Sequence, residues 1–191
     1  MASAPALQYS PELLLRAQSV RVAFFDVDGV LTDGSLYISE LPAGDARGAA
    51  ETFKRFHTLD GFGLKLLQAA GITPAVITGR DSIALRSRLQ ALGVVHARFG
   101  TEDKRPAAQA ILDELGLDWH QAAAIGDDWP DLPVLTRCAL ACAPPQAHVE
   151  VLAAAHYVTT LGGGQGAARQ FCDLLLVGSG RYAALLAGYQ R

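Results

Sequence analysis

A doubly wound α/β fold built on a parallel sheet is predicted by two features of this 191-residue chain. Short, almost wholly apolar runs recur along it, and a stretch of helical character that ends on glycine precedes each later run. The runs are residues 20–25, 73–78, 94–99 and 122–125. Consecutive apolar side chains suit strands covered on both faces, as in a parallel sheet. The helical stretches are residues 61–70, 82–92 and 104–115. Gly71, Gly93 and Gly116 follow them, where a helix ends through a left-handed residue. Sheets of this kind bind ligands at the carboxyl ends of their strands.

Composition supports one folded domain over residues 1–191. Half the residues are apolar and 18% are charged, which allows a buried core and argues against general disorder. The net charge of −3 gives no support to a nucleic-acid or membrane-surface partner. An anionic substrate would have to be held by a local basic cluster. Cys138, Cys142 and Cys172 lie in or beside apolar segments without metal-ligand spacing, so buried free thiols in a reducing compartment are expected. Residues 1–19 form an extension with no basic leader, in which Ser10-Pro11-Glu12 reads as a helix start with Ser as the cap. No apolar stretch reaches the length of a membrane span, and a cytoplasmic protein is expected. Between Asp33 and Arg55 the rhythm breaks: Leu36-Tyr37-Ile38 and Glu51-Thr52-Phe53-Lys54 read as a β-hairpin flap with its tip at residues 42–48.

The first run ends in Phe24-Phe25-Asp26-Val27-Asp28-Gly29-Val30-Leu31-Thr32. Two acids at the end of a buried strand are costly unless a cation offsets them. The order Asp-x-Asp-Gly-x-x-Thr resembles the signature of the haloacid dehalogenase superfamily of phosphatases, whose fold is of Rossmann type. Its remaining elements follow in order: Ile77-Thr78-Gly79-Arg80, then Lys104, then Gly126-Asp127-Asp128-Trp129-Pro130-Asp131. The resemblance implies phosphate-monoester hydrolysis, with Asp26 as nucleophile and Asp28 as general acid and base. Thr78 would bind a phosphate oxygen, and Lys104 would neutralise both phosphate and nucleophile. An anion attacking an anion calls for a hard cation, and Mg²⁺ fits. Its ligands would be the Asp26 and Asp127 carboxylates and the Asp28 backbone carbonyl, with Asp128 and Asp131 orienting them from behind.

About 50 residues separate Asp28 from Thr78, and the hairpin and one helix use most of them, so no cap domain is expected. From residue 20 to 176 the chain resembles the 3-deoxy-D-manno-octulosonate 8-phosphate phosphatases, Mg²⁺-dependent tetramers that serve lipopolysaccharide synthesis. The resemblance is carried by residues 26–34, 56–63, 77–80 and 126–131, and by the glycine run with the helix after it. It implies a substrate site lined by His57, Thr58, Leu59, Asp60 and Gly61, with Gly79 beside Thr78 and positive charge from Lys65, Arg80, Arg88 and Lys104. It further implies a homotetramer in which the tail, residues 177–191, swings on a Gly162–Gly166 hinge to cover a neighbour's site. Leu59 stands where the family carries arginine, Lys65 where arginine is common, and Gln165 in place of a frequent arginine. Two other readings stay open. One is the same chemistry on a sialic-type sugar-acid 9-phosphate. The other is a non-catalytic scaffold, against which the complete set of acids argues.

Overall fold

A computed structural model describes residues 6–38 and 51–190. The expected tip of the hairpin, residues 42–48, lies outside the described residues.

Helix α1, Pro11–Ala17, starts where Ser10 Oγ accepts a hydrogen bond from the Leu13 amide. Strand β1 is Val22–Phe25. The hairpin follows as β2, Tyr37–Ile38, paired antiparallel with β3, Glu51–Phe53, and the Tyr37 and Phe53 rings stack at 4.3 Å. Helix α2, Thr58–Ala69, begins three residues before the expected start because His57 Nδ1 accepts the Leu59 amide and caps it. Next come β4, Thr73–Ile77; α3, Ile83–Leu92; β5, His96–Arg98; α4, Lys104–Leu115; and β6, Ala122–Ile125. A short 3₁₀ turn, Trp129–Asp131, leads into α5, Leu132–Leu135, and then β7, Leu140–Ala143; α6, Val149–Ala154; and β8, Tyr157–Val158. Helices α7, Ala167–Gly178, and α8, Tyr182–Tyr189, close the chain. Strands β7 and β8 extend the sheet beyond the four expected runs.

Six strands pair in the order β5-β4-β1-β6-β7-β8, every neighbour parallel. The chain winds outward from β1 through β4 to β5, then returns to the other side of β1 with β6. The reversal opens a crevice at the carboxyl ends of β1 and β6, the place where such sheets hold ligands.

The apolar runs are explained by the two cores. Ala23, Phe25, Val76, Ala123, Ile125 and Cys142 face one core with α2, α3 and α7. Val22, Phe24, Ala75, Ile77, Ala124 and Ala141 face the other with α4, α5 and α6. Successive residues of a strand point to opposite faces, so a strand covered on both must be apolar throughout. The three cysteines are free and buried, as expected.

The C-terminal region departs from expectation in two ways. Gly162–Gly166 is not a hinge: the Gly164 amide donates to Val30 O at 2.9 Å, and Gly163 lies so close to Gly29 that a Cβ there would overlap the Gly29 carbonyl. Leu174, Leu175 and Leu176 are not available to a neighbour either, because they are buried in this chain's own core. Helix α8, by contrast, has no buried residue. Among the described residues no single helix is long and apolar enough to cross a membrane.

Phe171 is fully buried and meets Phe25 edge to face at 5.4 Å. Phe171→Ala should therefore cost about 3–5 kcal/mol in a urea-unfolding measurement. A loss under about 1 kcal/mol would show that α7 is not part of the core.

Candidate active site

The alternation along β1 carries into the site. Val22 and Phe24 face the α4 side of the sheet, and Asp26 is the next residue of that parity. Lys104 is the first residue of α4. A cation there opposes the helix macrodipole, so its placement needs carboxylates to offset it. They are present: Lys104 Nζ donates to Asp26 Oδ1 and, at 2.6 Å, to Asp131 Oδ1. All three side chains are buried.

Asp131 does more than stand behind the ligands. Its Oδ2 accepts the Asp127 amide at 3.1 Å and so fixes the turn after β6. On the other side of that residue, the His148 amide donates to Asp127 O at 2.8 Å. Oxygens of Asp26, Asp127 and Asp131 lie within 4.8 Å of one another. Burial, with the charge of Asp131 added, raises the Asp26 and Asp127 carboxyls above their ordinary range, and the Lys104 charge only partly offsets this. Burial alone would depress the Lys104 ammonium, but Asp26 and Asp131 outweigh it and hold the ammonium above the ordinary lysine value. One ammonium is thus set against three converging carboxylates, an all-oxygen donor set that fits a hard divalent cation.

The Asp28 carboxylate turns away from this cluster. It pairs with Lys54 Nζ and stands 3.6 Å from Arg80 Nε, so its own contribution to a metal would be the backbone carbonyl. Thr32, the last residue of the motif, supports the loop: Thr32 Oγ1 donates to Val27 O at 3.2 Å. Thr78 directly follows β4, buried, with Oγ1 accepting the Arg80 amide at 3.2 Å.

A cleft of about 580 Å³ gathers Asp26, Asp28, Thr78, Gly79, Arg80, Lys104, Asp127, Asp128 and Asp131. Thr101, Glu102 and Pro130 complete its wall. The remaining expected substrate residues lie elsewhere. His57 caps α2, while Thr58, Leu59 and Lys65 are exposed on that helix. Asp60, Gly61 and Arg88 border a separate small cavity with Leu31 and Leu89. Asp60 is turned from the cleft toward α7, where its Oδ1 accepts the Arg169 amide at 2.8 Å. It therefore caps a helix from outside that helix's own sequence.

Sequence reasoning missed Lys54 as the partner of Asp28, and Gln146, whose Nε2 donates to Gly29 O at 2.7 Å. Lys54 carried a signal, since it ends the hairpin that leads back toward the strand ends. Gln146 carried none.

Comparison with known proteins decides the family. A haloacid dehalogenase-like hydrolase pattern matches residues 99–169. The 3-deoxy-D-manno-octulosonate 8-phosphate phosphatase of Salmonella typhimurium is 36% identical over 90% of this chain and 87% of its own length. The chain belongs to this phosphatase family. The family's enzyme from Yersinia pestis is 38% identical over 87% of this chain and 84% of its own. The Moraxella catarrhalis phosphatase, solved with magnesium, phosphate and a Kdo molecule, superposes with a TM-score of 0.87 at 33% identity, over 95% of this chain and 99% of that one. This member of the family is thus a phosphatase of haloacid dehalogenase fold, with a cluster of acids at its strand ends.

The position of Asp60 yields a prediction that separates capping from substrate contact. Burial raises its carboxyl above the ordinary 3.8, and the amides of α7 only partly offset this. Below 3.8 the group is protonated in both folded and unfolded chains. As pH rises through the raised folded value, the unfolded chain releases its proton first and stability is lost. Asp60→Asn keeps an acceptor for the Arg169 amide without the charge. Its melting temperature should equal or exceed wild type at pH 8, with the difference shrinking toward pH 4, and turnover should stay within about threefold of wild type. A tenfold or greater loss of turnover at unchanged stability would return Asp60 to the substrate site.

Proposed function

We propose that the enzyme hydrolyses 3-deoxy-D-manno-octulosonate 8-phosphate to the free sugar acid and phosphate, in the cytoplasmic supply of precursor for lipopolysaccharide. The observation that carries the reading is the convergence of Asp26, Asp127 and Asp131 with Lys104 in a cleft that also holds Thr78 and Arg80. The identity of more than a third with named phosphatases over most of the chain supports the substrate.

Asp26 attacks phosphorus in line, giving an aspartyl-phosphate, and splits a very slow hydrolysis into two easier displacements. Asp28, flanked by Lys54 and Arg80, delivers a proton to the leaving alkoxide and then takes one from the attacking water. Thr78 and Lys104 hold the phosphoryl oxygens, and Arg80 supplies positive charge at the rim of the cleft. The ion would be Mg²⁺, which the Asp26 and Asp127 carboxylates and the Asp28 carbonyl would hold, with Asp128 and Asp131 orienting the turn. When bound, it neutralises the anionic oxygens that meet during attack.

The cleft stands open, which favours a homotetramer in which a neighbour completes it. Leu59, exposed on α2 and outside the cleft, would meet substrate only in such an assembly. The same position, where the family carries arginine, favours a second substrate, the sialic-type 9-phosphate.

Steady-state rates on a panel of phosphorylated sugar acids test the reading. Turnover should be highest on the eight-carbon substrate, vanish with chelator, return with Mg²⁺ and be poorly supported by Ca²⁺, whose looser coordination spoils the in-line geometry. Preference for the nine-carbon acid would replace the substrate, and full activity without metal would remove the mechanism. Asp26→Asn should lower kcat by about 10⁴-fold or more with the melting temperature little changed. A phosphoenzyme trapped on any other residue would displace Asp26.

A further inference from the structure

The loop between β7 and α6 holds both acid-bearing strand ends at once. Its backbone reaches one of them, through the His148 amide that donates to Asp127 O at 2.8 Å. Its Gln146 side chain reaches the other, donating from Nε2 to Gly29 O at 2.7 Å. The same side chain accepts the Gly163 amide on Oε1 at 3.2 Å, which ties the glycine run to the loop after β1.

Gly29 is the residue on which this matters. It has φ of +91°, and a Cβ on it would overlap the Asp127 carboxylate. The carboxylate therefore rests directly on the Gly29 backbone. The peptide that precedes Gly29 carries the Asp28 carbonyl, and the carbonyl of Gly29 itself is the group that Gln146 grips. A shift of this one residue would move both the Asp28 carbonyl and the Asp127 carboxylate, the two oxygens that, with Asp26, would hold the cation on the proposed reading.

From this geometry we infer that Gln146 is a positioning residue for the divalent cation: by holding the Gly29 carbonyl, it sets the spacing between the Asp28 carbonyl and the Asp127 carboxylate. The inference rests on the reading that the cation binds between Asp26 and Asp127. Gln146 touches neither substrate nor metal and acts through the peptide it holds. Removing an outer partner of this kind weakens metal binding about 10- to 100-fold in other sites.

Two variants test it. Gln146→Ala removes both hydrogen bonds. Gln146→Glu keeps the shape and the acceptor for Gly163 but loses the donor to Gly29 O, setting a carboxylate against a carbonyl. Mg²⁺ binding to the full-length protein is measured by titration calorimetry, beside melting temperature in chelator and KM for substrate at saturating Mg²⁺. Both variants should bind Mg²⁺ at least about tenfold more weakly, with KM within about twofold of wild type and the metal-free melting temperature nearly unchanged. Wild-type affinity in both Gln146→Ala and Gln146→Glu would overturn the inference, because both lose the donor to Gly29 O and only the second adds a charge. Weakened binding matched by a fall in metal-free melting temperature would overturn it too, by showing a general structural role. A wild-type protein that binds no Mg²⁺ would remove the metal reading itself, and the inference with it.

Discussion

Everything at the strand ends depends on one buried ammonium between two buried carboxylates. Lys104 bridges Asp26 and Asp131, and all three side chains are buried. Taking these charges out of water is costly, and their mutual attraction offsets the cost only with good geometry. The geometry comes from rigid parts: the end of β1, the first turn of α4 and the turn after β6. Positive charge still falls short of negative among Lys104, Asp26, Asp127 and Asp131, a demand that a divalent cation would meet.

That demand organises its surroundings. Asp131 reaches from Lys104 to the Asp127 amide, and His148 holds the carbonyl of the same residue. Gly163 and Gly164 press on the loop after β1 from behind. The loop that carries both acids of the motif is therefore enclosed by three separate segments of chain. Such enclosure keeps reacting groups in place before substrate arrives, so little reorganisation is left for the chemical step.

Much of this was legible in the sequence, for identifiable reasons. Continuous apolar runs are forced on strands with two covered faces, and helices that end on Gly93 and Gly116 announce themselves locally. Asp26, Thr78, Lys104 and Asp127 were legible because each sits at an element boundary that the chain order already marks. What stayed hidden depends on contacts between distant residues. Asp60 and the amide it caps are 109 positions apart, and Gln146 lies 117 from Gly29. No local pattern tells that an aspartate beside a substrate motif will turn toward another helix. The glycine run misled for a related reason: small residues serve mobility and close packing alike, and only the neighbour decides which.

The two-sided alternation of β1 has a consequence for how such a protein can change over time. Within the strand, one apolar residue can replace another at modest cost, since the sheet asks only for volume and hydrophobicity. Length is another matter. One residue added or removed between Arg21, whose amide is held by Gln121 O, and Asp26 would turn the Asp26 carboxylate to the opposite side of the sheet, toward Phe171 and away from Lys104. The strand behaves as a reading frame of two. Its wording can drift while its count cannot, and the catalytic centre is inherited as a parity before it is inherited as a set of side chains.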